Sequence, residues 1–260
     1  MDIVIIGSGN VASVMGRKMI SVGHKLVQVA GRNPDTTASL AKQFGCSHTL
    51  DFSQIVKTAG LYFIAIPDDA LENIGDDLNT GSGLTVHSAG SVPANVLSNI
   101  SSRYGVLYPL QSLKSDVEKI PDIPLLVDGN SEETRNDILA FATTISSKVM
   151  IADDEYRRKI QLAAVLTGNF SNHLLTMAAD YCQQESIDFS LLLPLLQESV
   201  ERLQYYTPEK MQTGPARRND QGTIQLHKRL LEKYPETKKI YDAITASIIE
   251  HYHQTANQPS

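Results

Sequence analysis

The segment Gly7-Ser8-Gly9-Asn10-Val11-Ala12 constrains the fold of this chain more than any other. It follows the apolar run Ile3–Ile6 and opens a stretch in which Val11, Val14, Met15, Met19 and Val22 share one helical face. A strand, a glycine turn and a helix form the context in which G-x-G-x-x-G/A cradles a pyrophosphate. Gly7 permits the tight turn, Gly9 lets phosphates approach the backbone, and Ala12 lets the helix lie against the strand. Ser8, Asn10 and Val11 complete a loop whose N–H groups, at a helix N-terminus, attract anions.

The pattern continues beyond the loop. Short apolar runs recur at Leu26–Ala30, Leu61–Ile66, Leu84–His87, Val106–Tyr108, Leu125–Val127 and Val149–Ala152. Continuous apolar runs bounded by Gly, Pro or polar residues suit strands buried on both faces. Helix signals lie between them. Asn33-Pro34 reads as a cap followed by proline at the first helical position, and Ser131-Glu132-Glu133 as a capping hydroxyl with early acids. From Asp153 onward no clear strand pattern occurs. Helical patterns fill Glu155–Tyr181, Phe189–Leu203, Asp220–Lys233 and Glu236–Tyr252, ahead of a polar tail after His253. The fold class is therefore α/β. A Rossmann-type, doubly wound, mostly parallel sheet is expected over 1–152, and an all-α C-terminal domain over 153–260.

Composition narrows the function classes. The 260 residues carry a net charge of −6, which disfavours a nucleic-acid partner. No apolar stretch approaches the ~20 residues that span a bilayer, so no membrane partner is expected. The first residues lack the basic and apolar regions of a signal peptide. The two cysteines, Cys46 and Cys182, lie far apart and outside metal spacings. A cytoplasmic protein with reduced thiols is expected. No metal site is legible.

The end of the second run bears on the choice of dinucleotide. An NAD site places an acid about 20 residues past the glycines, where it accepts from the ribose 2′-OH. Here the segment reads Ala30-Gly31-Arg32-Asn33. Arg32 suits a 2′-phosphate, Asn33 adds a polar group, and NADP(H) is the expected cofactor. Ligands of such sheets sit at the carboxyl ends of the strands. Ile66, Pro67 and Asp68 should edge the cofactor, and Ser88, Ala89 and Gly90 form a small turn suited to the nicotinamide ribose. Gln111 and Ser112 follow Tyr108 at a further strand end and suit a substrate.

Hydride transfer to a carbonyl or imine needs a proton source. His87 and Tyr108 stand at strand ends, and His173 on a long helix. As a lone histidine, His87 reads first as a satisfied structural side chain and second as a catalyst. Asn169, Asn172 and His173 share a helical face at i, i+3, i+4 spacing, which fits either an internal network or a polar site. Thr213, Arg217 and Arg218 precede a helix N-terminus, where two guanidiniums suit a carboxylate or phosphate; capping and solvation are the plainer account.

The GSGNVA loop, the Gly31-Arg32-Asn33 strand end, the Ile66–Ala70 segment and the helical second half together resemble the superfamily of pyrroline-5-carboxylate reductases and deazaflavin-dependent NADP reductases. The chain is most similar to its branch of NADP oxidoreductases with a C-terminal domain of unknown function. Tyr108-Pro109-Leu110-Gln111-Ser112 and Thr213-Gly214-Pro215 carry that closer resemblance. The chain departs from the pyrroline-5-carboxylate reductases where Thr167-Gly168-Asn169 stands in place of their Ser-Gly-Pro. It also lacks the lysine that hydroxyacid dehydrogenases place four residues before an asparagine, and has Tyr108 where branch members often have histidine. The resemblance implies an NADP(H)-dependent oxidoreductase. Its expected substrate is a small, anionic metabolite bound between two domains. The alternative is an NADP(H)-binding sensor without chemistry. A homodimer through the helical half is expected from residues and resemblance together. Leu162, Val165, Leu166, Phe170, Leu174, Leu175 and Met177 leave one helix little solvated face, and Leu191–Leu196 is a second apolar stretch.

Overall fold

The computed structural model describes residues 1–74 and 78–254. The polar tail expected after His253 lies, from 255 onward, outside the described residues. So do the side chains at 253 and 254.

Eight strands form one sheet: β1 (Asp2–Ile6), β2 (Lys25–Ala30), β3 (Ser47–Thr49), β4 (Leu61–Ile64), β5 (Leu84–His87), β6 (Tyr104–Pro109), β7 (Leu125–Gly129) and β8 (Val149–Ile151). Their order is β3-β2-β1-β4-β5-β6-β7-β8. All neighbours are parallel except β6 and β7, which pair antiparallel. The doubly wound, mostly parallel sheet expected from the sequence is thus present. The chain reverses direction across the sheet at β1, whose Ile6 stands between Ala30 of β2 and Ile64 of β4. That reversal opens a crevice above the strand ends, where ligands of open α/β sheets bind.

Helices α1 (Asn10–Ser21), α2 (Pro34–Phe44), α3 (Asp68–Glu72), α4 (Glu132–Ile145) and α5 (Asp154–Ala164) accompany the strands. One core cluster gathers Ile3, Ile5, Met15, Leu61, Phe63, Val127 and Phe141; the other gathers Val4, Ile6, Tyr62, Ile64 and Leu97. Alternate residues of β1 enter opposite clusters, so both faces of the sheet are covered, as the continuous apolar runs imply.

After α5 the chain widens into a π-helix over Val165–Phe170 and goes on as α6 (Ser171–Gln184). There follow α7 (Leu193–Arg202), α8 (Pro208–Met211), α9 (Pro215–Arg218), α10 (Gln221–Leu230) and α11 (Pro235–Gln254). No strand occurs here among the described residues. Two compact units result, Met1–Phe170 and Ser171–Ser260. The composition changes near Asp153, but α5 and the π-helix belong to the first unit. No helix is long and apolar enough to cross a membrane among the described residues.

Candidate functional site

The glycine loop is built from two glycines with different duties. Gly7 has φ +119°, and a Cβ there would lie 2.1 Å from the Ala65 carbonyl oxygen, so only glycine fits. Gly9 has ordinary extended backbone, and a Cβ on it would meet nothing within 4 Å. The space above Gly9 is open to solvent or ligand.

Four helices of the first unit exceed ten residues. Asn33 caps α2, Ser131 caps α4 and Asp153 caps α5, each accepting from a backbone N–H. Only α1 starts without a capping side chain, and its first turn holds no acid. Its leading N–H groups are left for an anion. The Asn10 side chain is engaged elsewhere, where its Oδ1 accepts from the Ser115 N–H at 3.1 Å. Arg17 donates to the carbonyls of Val117 and Ser115 at 2.8 and 3.0 Å, so the same loop is held over α1 at three points. Ala12 is fully buried against the sheet, as the close helix–strand approach requires.

A cavity of about 460 Å³ opens at these strand ends. Gly7, Ser8, Gly9, Arg32, Asn33, Thr36, Ile66 and Pro67 line it, together with Gly31, Phe52, Ala65 and Ala70. Glycine loop and Arg32 therefore share one cavity. Asn33 Oδ1 accepts from the Thr36 N–H at 3.1 Å, and Ser8 Oγ lies 2.7 Å from Thr36 Oγ1, tying the loop to α2.

A second cleft, of about 700 Å³, lies within the same unit. Its wall comprises Tyr108, Leu110, Gln111 and Ser112 after β6, Ile160, Gln161, Ala163 and Ala164 of α5, and Val165, Thr167, Gly168 and Asn169 of the π-helix. Tyr108, Gln111, Ser112 and Asn169 thus meet in one place. Gln161, which carried no signal in the sequence, and Thr167 join them. Thr167 Oγ1 donates to the Ala163 carbonyl at 2.9 Å, and the cleft's lining includes the amide residues Gln161 of α5 and Asn169 of the π-helix. No charged side chain lines it. Burial raises the Tyr108 phenol above its ordinary 10, and the nearby Asp68 carboxylate adds to the rise; Arg157 opposes both. Tyr108 is therefore a protonated hydroxyl at neutral pH. Asp68 itself accepts from the Ser91 hydroxyl.

His87 is fully buried at the end of β5 and lines none of these cavities. Its Nδ1 accepts from the Ala89 N–H at 3.2 Å, which puts the ring proton on Nε2. Burial, and next the Arg157 charge, push its pKa from 6.5 down to about 4, although the Pro93 carbonyl and Asp154 work against them. It is neutral at pH 7 and a poor acid. A depressed pKa stabilises the fold fully above 6.5, and that stability drains away as pH falls towards 4. A shift of this size is worth roughly 3 kcal/mol. Urea midpoints of the parent should therefore drop between pH 7 and pH 4.5, and a His87→Gln protein should show a much flatter dependence. Parallel pH profiles for the two proteins would refute the assignment.

Arg157 gave no signal in the sequence, because an arginine on an amphipathic helix reads as solvated. It is the largest fully buried side chain of the described residues. Its Nη2 donates to the Val92 carbonyl at 2.7 Å and to Asp154 Oδ1 at 2.6 Å.

The remaining candidates lie in the helical unit. His173 lines a cavity of about 540 Å³ with Asp180, Tyr181, Gln184, Lys233 and Tyr234. The Asn172 carbonyl accepts from Thr176 Oγ1 at 3.1 Å. Thr213 borders an apolar cavity of about 650 Å³ among Leu174, Met177, Cys182, Leu231, Tyr241 and Ile244. Arg217 lies 4.4 Å over the Tyr252 ring, Arg218 is exposed, and Asp220 caps α10. No metal-holding group of His, Cys, Asp or Glu occurs among the described residues.

Two family models match the chain: NADP oxidoreductase, coenzyme F420-dependent, over residues 2–88, and a domain of unknown function, DUF2520, over residues 123–248. No curated protein sequence matches it. Among solved structures, a protein of Bacteroides fragilis named as an NADP oxidoreductase is 33% identical, with a TM-score of 0.90 over 96% of this chain and 98% of that one. A pyrroline-5-carboxylate reductase of Streptococcus pyogenes is 12% identical, with a TM-score of 0.63 over 96% and 98% of the two chains. An imine reductase of Myxococcus stipitatus in complex with NADP+ is 15% identical, with a TM-score of 0.66 over 96% and 93%. The last two likenesses concern the fold alone.

Proposed function

The chain belongs to the family of the Bacteroides fragilis NADP oxidoreductase, and from that membership we propose that it binds NADP(H) and transfers a hydride to or from a small polar metabolite. The observation that carries this reading is the 460 Å³ cavity, where an uncapped helix N-terminus, the open Gly9 and Arg32 converge with no acid at the end of β2. The adenosine half lies over β1 and β2 in such a sheet, and the nicotinamide half over β4 and β5. Arg32 meets the 2′-phosphate there, with a charge-assisted bond worth about 1.5–3 kcal/mol, or roughly 10- to 100-fold in affinity. NADPH should accordingly outbind NADH, and Arg32→Ala should erase the difference. Fluorescence titration of both cofactors tests it, and equal affinities in the parent would refute it.

Substrate chemistry belongs to the 700 Å³ cleft. Tyr108 supplies the proton, while Gln111, Ser112, Gln161 and Asn169 hold the substrate through amides and a hydroxyl. This wall contains no cation, so any carboxylate here is held by neutral donors. A second reading, a non-catalytic NADP(H) sensor, draws on one feature: the cleft's proton source is a phenol of raised pKa rather than a strong acid. NADPH oxidation across a panel of carbonyls and imines separates the two readings.

The molecule acts as a homodimer joined through its helical unit. The buried apolar residues described there are only Cys182, Ala216, Ile224 and Leu231, whereas Leu191 is 72% exposed and Val200 66%. A unit with so little interior gains a core by pairing with a second copy. Light scattering should return twice the mass of one chain, and a single-chain mass at micromolar concentration would reject the dimer.

A further inference from the structure

The loop that follows β5, residues 88–94, is held against α5 at two levels. Near the start of the helix, Arg157 Nη2 donates to the Val92 carbonyl at 2.7 Å, and Asp154 Oδ1 accepts both from Arg157 at 2.6 Å and from the Ala94 N–H at 3.2 Å. One turn further on stands Gln161. A Cβ on Gly90 would lie 2.9 Å from Gln161 Cδ and 2.9 Å from Tyr108 Cζ, so the loop backbone is wedged between those two side chains. Arg157 anchors one end of the loop, and Gly90, at the other end, sets the gap between the phenol and the amide.

This anchor is energetically unfavourable. Arg157 is fully buried, and its Nε and Nη1 have no hydrogen-bond partner in the protein. Burying a guanidinium with unmet donors costs more than an apolar side chain of the same volume would. Stability alone gives no reason for an arginine here. What the guanidinium supplies is direction: a planar group that fixes a carbonyl and a carboxylate in one arrangement.

We propose that Arg157 is a positioning residue, which sets loop 88–94 through Val92 and Asp154 and thereby the seat of the nicotinamide half of the cofactor beside Tyr108 and Gln161. This rests on the NADP(H) reading above. Neither Arg157 nor this loop lines the 460 Å³ cavity proposed for the adenosine half, so the two halves of the cofactor can be probed separately.

The test compares NADPH with 2′,5′-ADP, which carries the adenosine half alone, on the full chain. Arg157→Met is expected to bind 2′,5′-ADP within about twofold of the parent and NADPH about tenfold more weakly, the loss of one charged hydrogen bond. The emission of its bound nicotinamide should move towards that of free NADPH. Asp154→Asn keeps the shape and removes the charge partner. It should shift the same two readouts in the same direction by about threefold, and it stands in if Arg157→Met does not fold. Parent-like NADPH affinity and emission in a folded variant overturn the proposal, as does an equal loss for both ligands. A parent chain that binds neither ligand overturns the cofactor reading first and this proposal with it.

Discussion

A Gly9→Val protein is expected to fold and to bind no dinucleotide. Its new side chain points where a Cβ meets nothing within 4 Å, and the backbone at Gly9 is one that valine adopts freely. The cost to folding is that of a poor helix cap, about 1 kcal/mol, or a few degrees in Tm. Any pyrophosphate seated on the α1 N-terminus must occupy that same space. NADPH affinity should fall by about a thousandfold or more, beyond detection in a fluorescence titration. Gly7→Ala is the control with the opposite signature. Its methyl group would sit 2.1 Å from the Ala65 carbonyl oxygen at a positive φ, so this variant should lose several kcal/mol of stability, roughly 3–5. A Gly9→Val protein that still binds NADPH would reduce the loop to a turn.

Tyr108→Phe carries the second large effect. In the proposed reading the phenol is the cleft's proton source, and positioned acids contribute about 100- to 10,000-fold. With any carbonyl or imine that the parent reduces, kcat should fall by about a hundredfold at least, while NADPH affinity stays unchanged. The pH dependence follows from the direction of the shift. Burial and Asp68 raise the phenol above 10, so it stays protonated through neutral and mildly alkaline pH. The parent's reductive rate should therefore hold up to about pH 10 and decline only beyond it. Unchanged kcat in Tyr108→Phe would assign the proton to solvent or to another group.

The region proposed for the cofactor could be read from the sequence because its chemistry is local. Loop, capped helix and strand end lie within the first 44 residues, and each has a short-range signature: glycine spacing, an Asn-Pro cap, an arginine in place of an acid. The strands were legible wherever burial on both faces made the sequence continuously apolar. Ser47-His48-Thr49 gave no such signal, because β3 is an edge strand built of polar residues. The antiparallel pairing of β6 with β7 left no trace either, since pairing direction is decided by the connection rather than the strand.

The cleft proposed for the substrate was legible only in part, for geometric reasons. Asn169, Asn172 and His173 share a face in a regular α-helix, yet Asn169 stands in a π-helix whose turn is wider. Asn169 lines the cleft of the first unit, and His173 lines a separate cavity within the helical unit. Gln161 and Arg157 carried no signal in the sequence, and Thr167 stood out only within Thr167-Gly168-Asn169. Their roles arise from what the fold brings against them, and spacing along one helix does not carry that information.

The arrangement of the sheet has a bearing on how the protein survives crowding and stress. A strand at the rim of a sheet is a template on which foreign chains can pair and fibrils can grow. Here each rim is only three residues long, β3 on one side and β8 on the other. The β3 rim presents Ser47, His48 and Thr49, which offer an incoming strand no apolar face to bury. The longest strands, β2 and β6, are paired on both sides. Edge-to-edge growth therefore finds little purchase on the β3 rim, whereas the β8 rim, Val149-Met150-Ile151 with Met150 and Ile151 exposed, limits it by its shortness alone.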